Sequence, residues 1–145
     1  MHCKVISKKK LTSKELTSII GLMDVFRKPK GKKSITKSQV KEVMAHPANT
    51  VIAAYEGDTM VGIAVLVKAS LFTARLGIID EVVVSDAHRK KGIASRMLRE
   101  AVRIAKKQKL DLLKVDTNAD NKAANRLYKK ERFVARNGVV YKRFL

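Results

Sequence analysis

The segment VVVSDAHRKKGIASRML, residues 82–98, constrains the fold more than any other stretch of the chain. Three consecutive valines are typical of a buried strand, and the apolar spacing after Gly92 is typical of a helix packed on a sheet. Between them lies the basic run Arg89, Lys90 and Lys91. A loop that enters a helix presents free backbone N–H groups at the positive end of the helix dipole. The segment therefore predicts an anion site, with a pyrophosphate as the expected ligand.

Small residues at the start of this helix support the same prediction. Gly92 lets the backbone approach a ligand closely, and Ala94 is too small to obstruct it. An ordinary strand-to-helix turn with a basic rim explains these residues equally well when they are taken alone. The glycine patterns G-x-x-x-x-G-K-[ST] and G-x-G-x-x-G do not occur in the chain, so the two common nucleotide-binding loops have no support.

Length and composition predict one globular domain spanning residues 1–145, with 46% hydrophobic and 31% charged residues. No apolar run reaches the ~18 residues of a membrane span, and the first residues lack the apolar core of a signal peptide. We therefore expect a cytoplasmic protein without a membrane partner. Cys3 is the single cysteine and the three histidines lie far apart in sequence, so neither a disulfide nor a metal site is expected.

The charge is strongly unbalanced, with 32 Lys and Arg against 13 Asp and Glu and a formal net charge of +19. Such a field attracts anions, which include nucleic acid, an anionic cofactor and an anionic membrane. A solvated lysine-rich surface with no partner is an equally good explanation. Aromatic residues make up 5% of the chain and tryptophan is absent, so little surface is available for base stacking and nucleic acid is not the favoured partner.

Hydrophobic periodicity predicts a mixed-sheet α/β domain with the order β-α-α-β-β-β-α-β-α-β-β. Thr12 or Ser13 is expected to cap the first helix, and Thr36 with Gln39 forms a capping-box pattern for the second. The remaining elements are strands on both sides of a Gly57–Asp58 turn, strands at 77–85 and 111–117, helices after Gly92 and at about 120–130, and a closing hairpin around Asn137–Gly138.

Two segments resemble motifs of the GNAT superfamily of N-acetyltransferases. Residues 89–94, RKKGIA, are similar to its acetyl-CoA loop [RQ]-x-x-G-x-[GA], and residues 121–133, NKAANRLYKKERF, are similar to its N-x-x-A-x-x-L-Y-x-x-x-G-F segment. The resemblance covers essentially the whole chain, because the order of the other elements also fits. It departs at Arg132, where the family has glycine, so this helix end is expected to be built differently.

The resemblance implies acetyl-CoA as a co-substrate; that no metal is expected follows from the cysteine and histidine positions given above. The pantetheine arm of acetyl-CoA would lie in a gap where strand 79–84 separates from strand 111–117. Its amides would pair with the main chain of Val82 and Val84. Asn121 would bond the pantetheine, and Tyr128 would give a proton to the departing thiolate. Asn121, Ala124, Asn125 and Tyr128 share one helix face. The implied cofactor-binding set is Val82, Val84, Arg89, Lys90, Lys91, Gly92, Ile93, Ala94 and Asn121.

Asp80 and Glu81 form a carboxylate pair in an otherwise apolar strand, where charges are seldom buried without a partner or a role. Side chains alternate along a strand, so at most one of the two faces a reacting centre. We expect Glu81 to be the base that takes a proton from the acceptor amine, with Asp80 as its substitute. An ion pair with a nearby lysine is the alternative role for either residue.

The predicted function is transfer of an acetyl group from acetyl-CoA to a primary amine of a small molecule or a protein, by direct attack in a ternary complex. The alternative is a non-catalytic or RNA-associated basic module that retains the CoA-binding fold. The acceptor is not identified by the sequence. The basic segment 27–34, RKPKGKKS, favours an acceptor that carries an anionic group, unless these lysines are only solvated. Either a monomer or a homodimer fits the sequence.

Overall fold

The elements follow the periodicity of the sequence closely. The computed structural model describes residues 1–6, 11–27, 31 and 33–145. The strands are β1 (His2–Ile6), β2 (Asn49–Glu56), β3 (Thr59–Ser70), β4 (Arg75–Val84) and β5 (Leu112–Val115). The helices are α1 (Ser13–Arg27), α2 (Lys37–Ala45), α3 (Ile93–Lys107) and α4 (Lys122–Lys130), and a short 3₁₀ turn covers Asp86–His88. In the basic segment 27–34, positions 28–30 and 32 lie outside the described residues.

The five strands form one mixed sheet in the order β1-β2-β3-β4-β5. The first four are antiparallel neighbours, and β5 lies parallel to β4. Neighbouring residues of β2 point to opposite faces, as the period of a strand requires. Val51 packs with α1 and α2 on one face, and Ile52 packs with α3 on the other. The predicted mixed α/β fold is confirmed.

Side-chain caps begin the first two helices at the predicted positions. Thr12 Oγ1 accepts a hydrogen bond from the Glu15 N–H (3.1 Å), and Glu15 accepts one from the Thr12 N–H (3.0 Å). Thr36 and Gln39 form the same reciprocal pair at the start of α2. Each box satisfies helix N–H groups that have no partner inside the helix.

Strand β4 carries a bulge opposite β3. Ile63 is paired with Val83 and Val65 with Asp80, so two residues of β4 lie opposite one residue of β3. One of them is Glu81, whose φ of 51° is in the left-handed region. A bulge bends a strand and redirects its side chains. The strict alternation assumed from the sequence therefore does not hold at Glu81.

The closing hairpin around Asn137 and Gly138 is not formed. Residues 134–145 contain no helix or strand and are exposed along their whole length. A hairpin needs a third strand or a helix to bury its apolar face, and the apolar side chains of this segment pack on neither. Val134, Tyr141 and Phe144 are 83%, 90% and 91% exposed. A strong local turn signal could not replace those missing contacts.

Candidate active site

A groove of about 730 Å³ lies between β4, the start of α3 and helix α4. It joins the two motifs that are about thirty residues apart in sequence. Eight of the nine residues expected to bind the cofactor line this groove, and Tyr128 lines it as well. Lys91 is the exception. The lining residues from the expected set are Val82, Val84, Arg89, Lys90, Gly92, Ile93, Ala94 and Asn121.

Helix α3 begins at this groove without a side-chain cap. Gly92 takes the N-cap position with φ 76° and ψ 11°, a left-handed conformation that glycine adopts without steric cost. The first helical hydrogen bond runs from the Arg96 N–H to the Gly92 carbonyl (3.1 Å). The N–H groups before Arg96 are therefore available to a ligand. Space next to Gly92 is open, because a Cβ built there meets no atom within 4 Å.

The second wall of the groove is the free part of β4. The parallel pairing of β4 with β5 begins at Leu76–Leu112 and stops at Ile79–Val115. Beyond Ile79, β4 has no neighbour on its β5 side within the described part of the chain. The two strands thus separate after Ile79, within the stretch for which the resemblance implied it. An exposed stretch of strand backbone can pair with the amides of an extended ligand.

Helix α4 supplies the third wall, and its polar face is divided between two roles. The Asn121 side-chain oxygen accepts from the Ala124 N–H (3.1 Å) and caps the helix, while Asn121 also borders the groove. Asn125 instead donates to the carbonyls of Asn118 (3.0 Å) and Asn121 (2.9 Å). Asn125 therefore fixes the loop before α4 and does not line the groove.

Tyr128 is half-buried at the groove, with its ring edge against Phe133 at 5.9 Å between centroids. Burial raises the pKa of the Tyr128 hydroxyl, and the Asp80 and Asp116 carboxylates raise it further. A raised pKa keeps the hydroxyl protonated at neutral pH, as a proton donor requires.

The turn after α4 corrects one expectation. Arg132 has φ 65° and so takes the left-handed conformation that glycine would take. The Arg132 N–H donates to the Lys129 carbonyl (3.0 Å), and the Phe133 N–H donates to the Tyr128 carbonyl (2.9 Å). These two bonds define a Schellman motif. The helix therefore ends as a glycine-containing motif would end, at the cost of strain in Arg132.

Glu81 lies on the other side of β4, in a smaller cavity of about 160 Å³ between α1, α2 and the sheet. Burial raises the pKa of Glu81, the neighbouring Asp80 raises it further, and Arg27 lowers it. Asp80 is exposed and lines neither space; its Oδ1 accepts from the Glu81 N–H (2.7 Å). Glu81 rather than Asp80 thus borders the cavity.

Three further residues at the groove were not singled out from the sequence as ligand-binding residues. Arg126 and Lys130 of α4 line it, four positions apart on the helix, and this basic spacing beside Tyr128 was the available signal. His88 lines it too. Its Nδ1 lies 2.6 Å from Ser85 Oγ, and its Nε2 lies 3.1 Å from Glu56 Oε2. These contacts tie the loop before α3 to the end of β2.

Neither a metal site nor a membrane span is found in the described part of the chain. No three His, Cys, Asp or Glu side chains there come together as metal ligands. None of the helices there has the length and apolar character needed to cross a bilayer.

Comparison with known proteins identifies the family. Residues 20–132 match the acetyltransferase (GNAT) family, and the chain belongs to it. No curated protein matches the sequence. Among solved structures, an aminoglycoside acetyltransferase from an uncultured soil metagenomic sample has a TM-score of 0.86 at 12% identity, covering 99% of this chain and 95% of its own.

Two other solved structures share the fold. A ribosomal-protein-alanine N-acetyltransferase from Brucella melitensis biovar Abortus has a TM-score of 0.80 at 14% identity and covers 100% of both chains. A transcriptional regulator from Bacillus halodurans has a TM-score of 0.83 at 22% identity, covering 99% of this chain and 100% of its own. At these identities the likeness concerns the fold.

Proposed function

We propose that the protein is an N-acetyltransferase that moves an acetyl group from acetyl-CoA to a primary amine by direct attack in a ternary complex. The observation that carries the proposal is the position of β4 between two spaces of different chemistry. Glu81 borders the small cavity, and the next residue, Val82, borders the large groove. Two substrates could therefore be bound at once, one on each side of the bulge.

The groove suits acetyl-CoA in two ways, because it carries positive charge and presents unpaired backbone groups. The free N–H groups at the start of α3 and the side chains of Arg89 and Lys90 would hold the pyrophosphate. Arg126 and Lys130 add positive charge at the α4 wall for a further phosphate. The unpaired edge of β4 at Val82 to Val84 would pair with the pantetheine amides. When bound, acetyl-CoA supplies the acetyl group as a thioester.

Glu81 would prepare the acceptor. An ammonium group has no lone pair, so the amine must lose a proton before it can attack a carbonyl carbon. The raised pKa of Glu81 brings its carboxylate closer to the pKa of an amine and makes it a better base than an exposed carboxylate. The proton passes to Glu81 directly or through one water.

Tyr128 would hold a proton on the opposite side, at the wall of the groove from which the thiolate of CoA would leave. A tyrosine hydroxyl is protonated at neutral pH even at its ordinary pKa of about 10. The raised pKa of Tyr128 keeps its proton in place until the thiolate forms beside it. Asn121 would orient the pantetheine through its side-chain NH₂, since its oxygen is already bonded to the Ala124 N–H.

Thermal melting with acetyl-CoA and a screen of amine acceptors test the proposal together. At 100 times its dissociation constant, a ligand that binds the native state adds about 2.7 kcal/mol of stability. We expect millimolar acetyl-CoA to raise the melting temperature and at least one amine to release free thiol. Unchanged melting together with no thiol release from any amine would refute the proposed activity.

The alternative function, a basic module that binds RNA, predicts a different result. Its affinity for nucleic acid should fall steeply with salt, with a log–log slope of about −0.7 per phosphate neutralised on single strands. Tight RNA binding at physiological salt, without acetyl-CoA binding, would favour that alternative.

A further inference from the structure

The small cavity behind Glu81 has aliphatic walls, and this composition carries information about the acceptor. Of the twelve described residues that line it, nine are aliphatic or methionine. Met23 of α1, Met44 of α2 and Ile63 of β3 contribute walls from three different elements. Methionine side chains adapt to irregular apolar shapes. The cavity is therefore suited to an apolar group rather than to a sugar or a second charge.

The polar groups of the cavity are mostly engaged within the protein. Gln39 Oε1 accepts from the Thr36 N–H (2.8 Å) in the capping box of α2. Arg27 Nε donates to the Lys33 carbonyl (2.9 Å). Glu81 differs from these two, because its carboxylate accepts no hydrogen bond from the described residues. The Glu81 carboxylate therefore borders an apolar cavity and is able to accept a hydrogen bond from an amine.

The volume limits the size of the group that can enter. At about 160 Å³ the cavity is close to the ~150 Å³ of an apolar protein cavity that binds benzene. A phenyl ring or a branched four-carbon chain has the matching size. A longer or polycyclic substituent would have to remain outside.

We propose that the acceptor is a primary amine that carries one compact apolar group, between an isobutyl and a benzyl group in size, with that group in the cavity and the nitrogen at Glu81. This inference rests on the proposed acetyltransferase function and specifies its second substrate. A hydroxyl or a second ammonium placed among the nine apolar side chains would lose its water with no hydrogen-bonding partner beside it, so such acceptors are disfavoured.

Electrostatics point the same way. Among the described residues that line the cavity, Glu81 is the one carboxylate and Arg27 is a cation, so the second ammonium of a polyamine would have no carboxylate of its own there. The chain carries a net charge of +19, which repels a polycation during encounter. Although the fold is shared with aminoglycoside acetyltransferases, this cavity favours a monoamine.

Binding of amines can be measured without turnover, on the full chain saturated with CoA, by calorimetry or NMR titration. The probes are 3-methylbutylamine and 2-phenylethylamine, with 1,4-diaminobutane as a polar amine of similar length and sisomicin as a polycation. We expect the two apolar monoamines to bind at least tenfold more tightly than either polar probe. Leucine amide and a peptide with N-terminal leucine separate a free amine acceptor from a peptide acceptor.

Filling the cavity tests its role directly. Val43→Phe places a ring in the cavity from α2, and it should weaken binding of both apolar monoamines about tenfold or more, the scale of a misfit in a hydrophobic pocket. Val139→Phe is the matched control, because Val139 is 75% exposed in the C-terminal segment. If Val43→Phe does not fold, Met44→Ala enlarges the cavity instead and should shift the preference toward 2-phenylethylamine.

The outcomes separate this inference from the proposed function. Preference for 1,4-diaminobutane or sisomicin, with acetyl-CoA still bound and turned over, overturns the apolar acceptor and leaves the acetyltransferase standing. Equal amine binding in parent, Val43→Phe and Val139→Phe, or an unchanged preference in Met44→Ala, shows that the cavity is not the site. If neither acetyl-CoA nor any amine binds, the proposed function fails and the inference fails with it.

Discussion

Helices α2 and α3 begin in opposite ways. The first turn of α2 is capped by side chains, because Thr36 and Gln39 accept hydrogen bonds from each other's backbone N–H groups in a capping box. The first turn of α3 begins at Gly92 with no side chain to do so. Both helices leave N–H groups without partners inside the helix, as every helix does. At α2 a side chain of the protein takes one of these donors, the Gln39 N–H, whereas at α3 no side chain takes any of them and an anion in the groove can.

Changing Gly92 to glutamate should remove this difference and produce the largest effect. A carboxylate at the open N-terminus of α3 would repel phosphate and occupy the space beside the groove. We expect no stabilisation by acetyl-CoA and therefore no turnover, measured by thermal melting at a concentration that adds about 2.7 kcal/mol to the parent.

Two controls separate charge from strain and from helix capping. Gly92→Ala shares the strained φ of 76° but adds no charge, so it should still respond to acetyl-CoA. Thr36→Ala should cost about 1 kcal/mol of stability and leave the acetyl-CoA shift intact. A Gly92→Glu variant that binds as well as Gly92→Ala would mean that the ligand does not use this helix end.

Glu81→Gln should lower turnover about 10²–10⁴-fold, the usual contribution of a general base. In the parent, kcat/KM should rise with pH through the raised pKa of Glu81, and the glutamine variant should lack this dependence. A flat profile in the parent would argue against Glu81 as the base.

Glu81→Gln, which should lower turnover, should raise the stability of the protein at neutral pH. Because the pKa of Glu81 is raised in the fold, the protonated form is favoured there, and stability is lost as pH rises from the unfolded value, about 4.3, through the folded value. Glu81→Gln should therefore match the parent near pH 4 and exceed it at pH 7 in urea denaturation. A loss of stability at pH 7 would indicate a structural role.

Tyr128→Phe should lower turnover about 10²-fold and leave acetyl-CoA affinity nearly unchanged, since the ring and its contact with Phe133 remain. We expect the lower end of the range for an acid, because a thiolate with a pKa of about 8.5 leaves with little help. Steady-state kinetics and calorimetry measure the two quantities. Equal turnover in both proteins would show that another group protonates the thiolate.

Arg132→Gly should have the smallest effect, an increase in stability of about 1 kcal/mol or less. Glycine adopts the left-handed φ of 65° without the steric cost that arginine bears, although it also loosens the unfolded chain. Arg132→Ala is the control, because it removes the side chain and keeps the strain. Urea midpoints that do not rank glycine above alanine would mean that the strain is negligible.

The sequence predicted most of the fold because most of it is encoded locally. Apolar spacing located α1 and α3, and the Thr36–Gln39 spacing located the cap of α2. The hairpin failed because Asn137–Gly138 specifies a turn but not a partner for the strands beside it. The left-handed conformation of Arg132 was not predicted, because this conformation favours glycine and the residue at this position is arginine.

The sequence motifs predicted the part of the candidate site that they contain, and no other part. The groove residues at Gly92 and Asn121 follow from motif spacing. The bulge at Glu81 has no glycine to signal it, because it is set by the register between β3 and β4. The apolar cavity needed the packing of α1 and α2 against the sheet, and no single segment contains that information.

The exposed C-terminal segment has a consequence for the colloidal behaviour of the protein. Residues 134–145 present apolar side chains to water, and such surfaces associate when molecules meet. A net charge of +19 makes copies of the chain repel one another at low ionic strength, because the Debye length is about 30 Å at 0.01 M salt. At 1 M salt the Debye length is about 3 Å, so this repulsion is screened. We therefore expect static light scattering to increase with added salt, and to increase less in a chain that ends after Phe133.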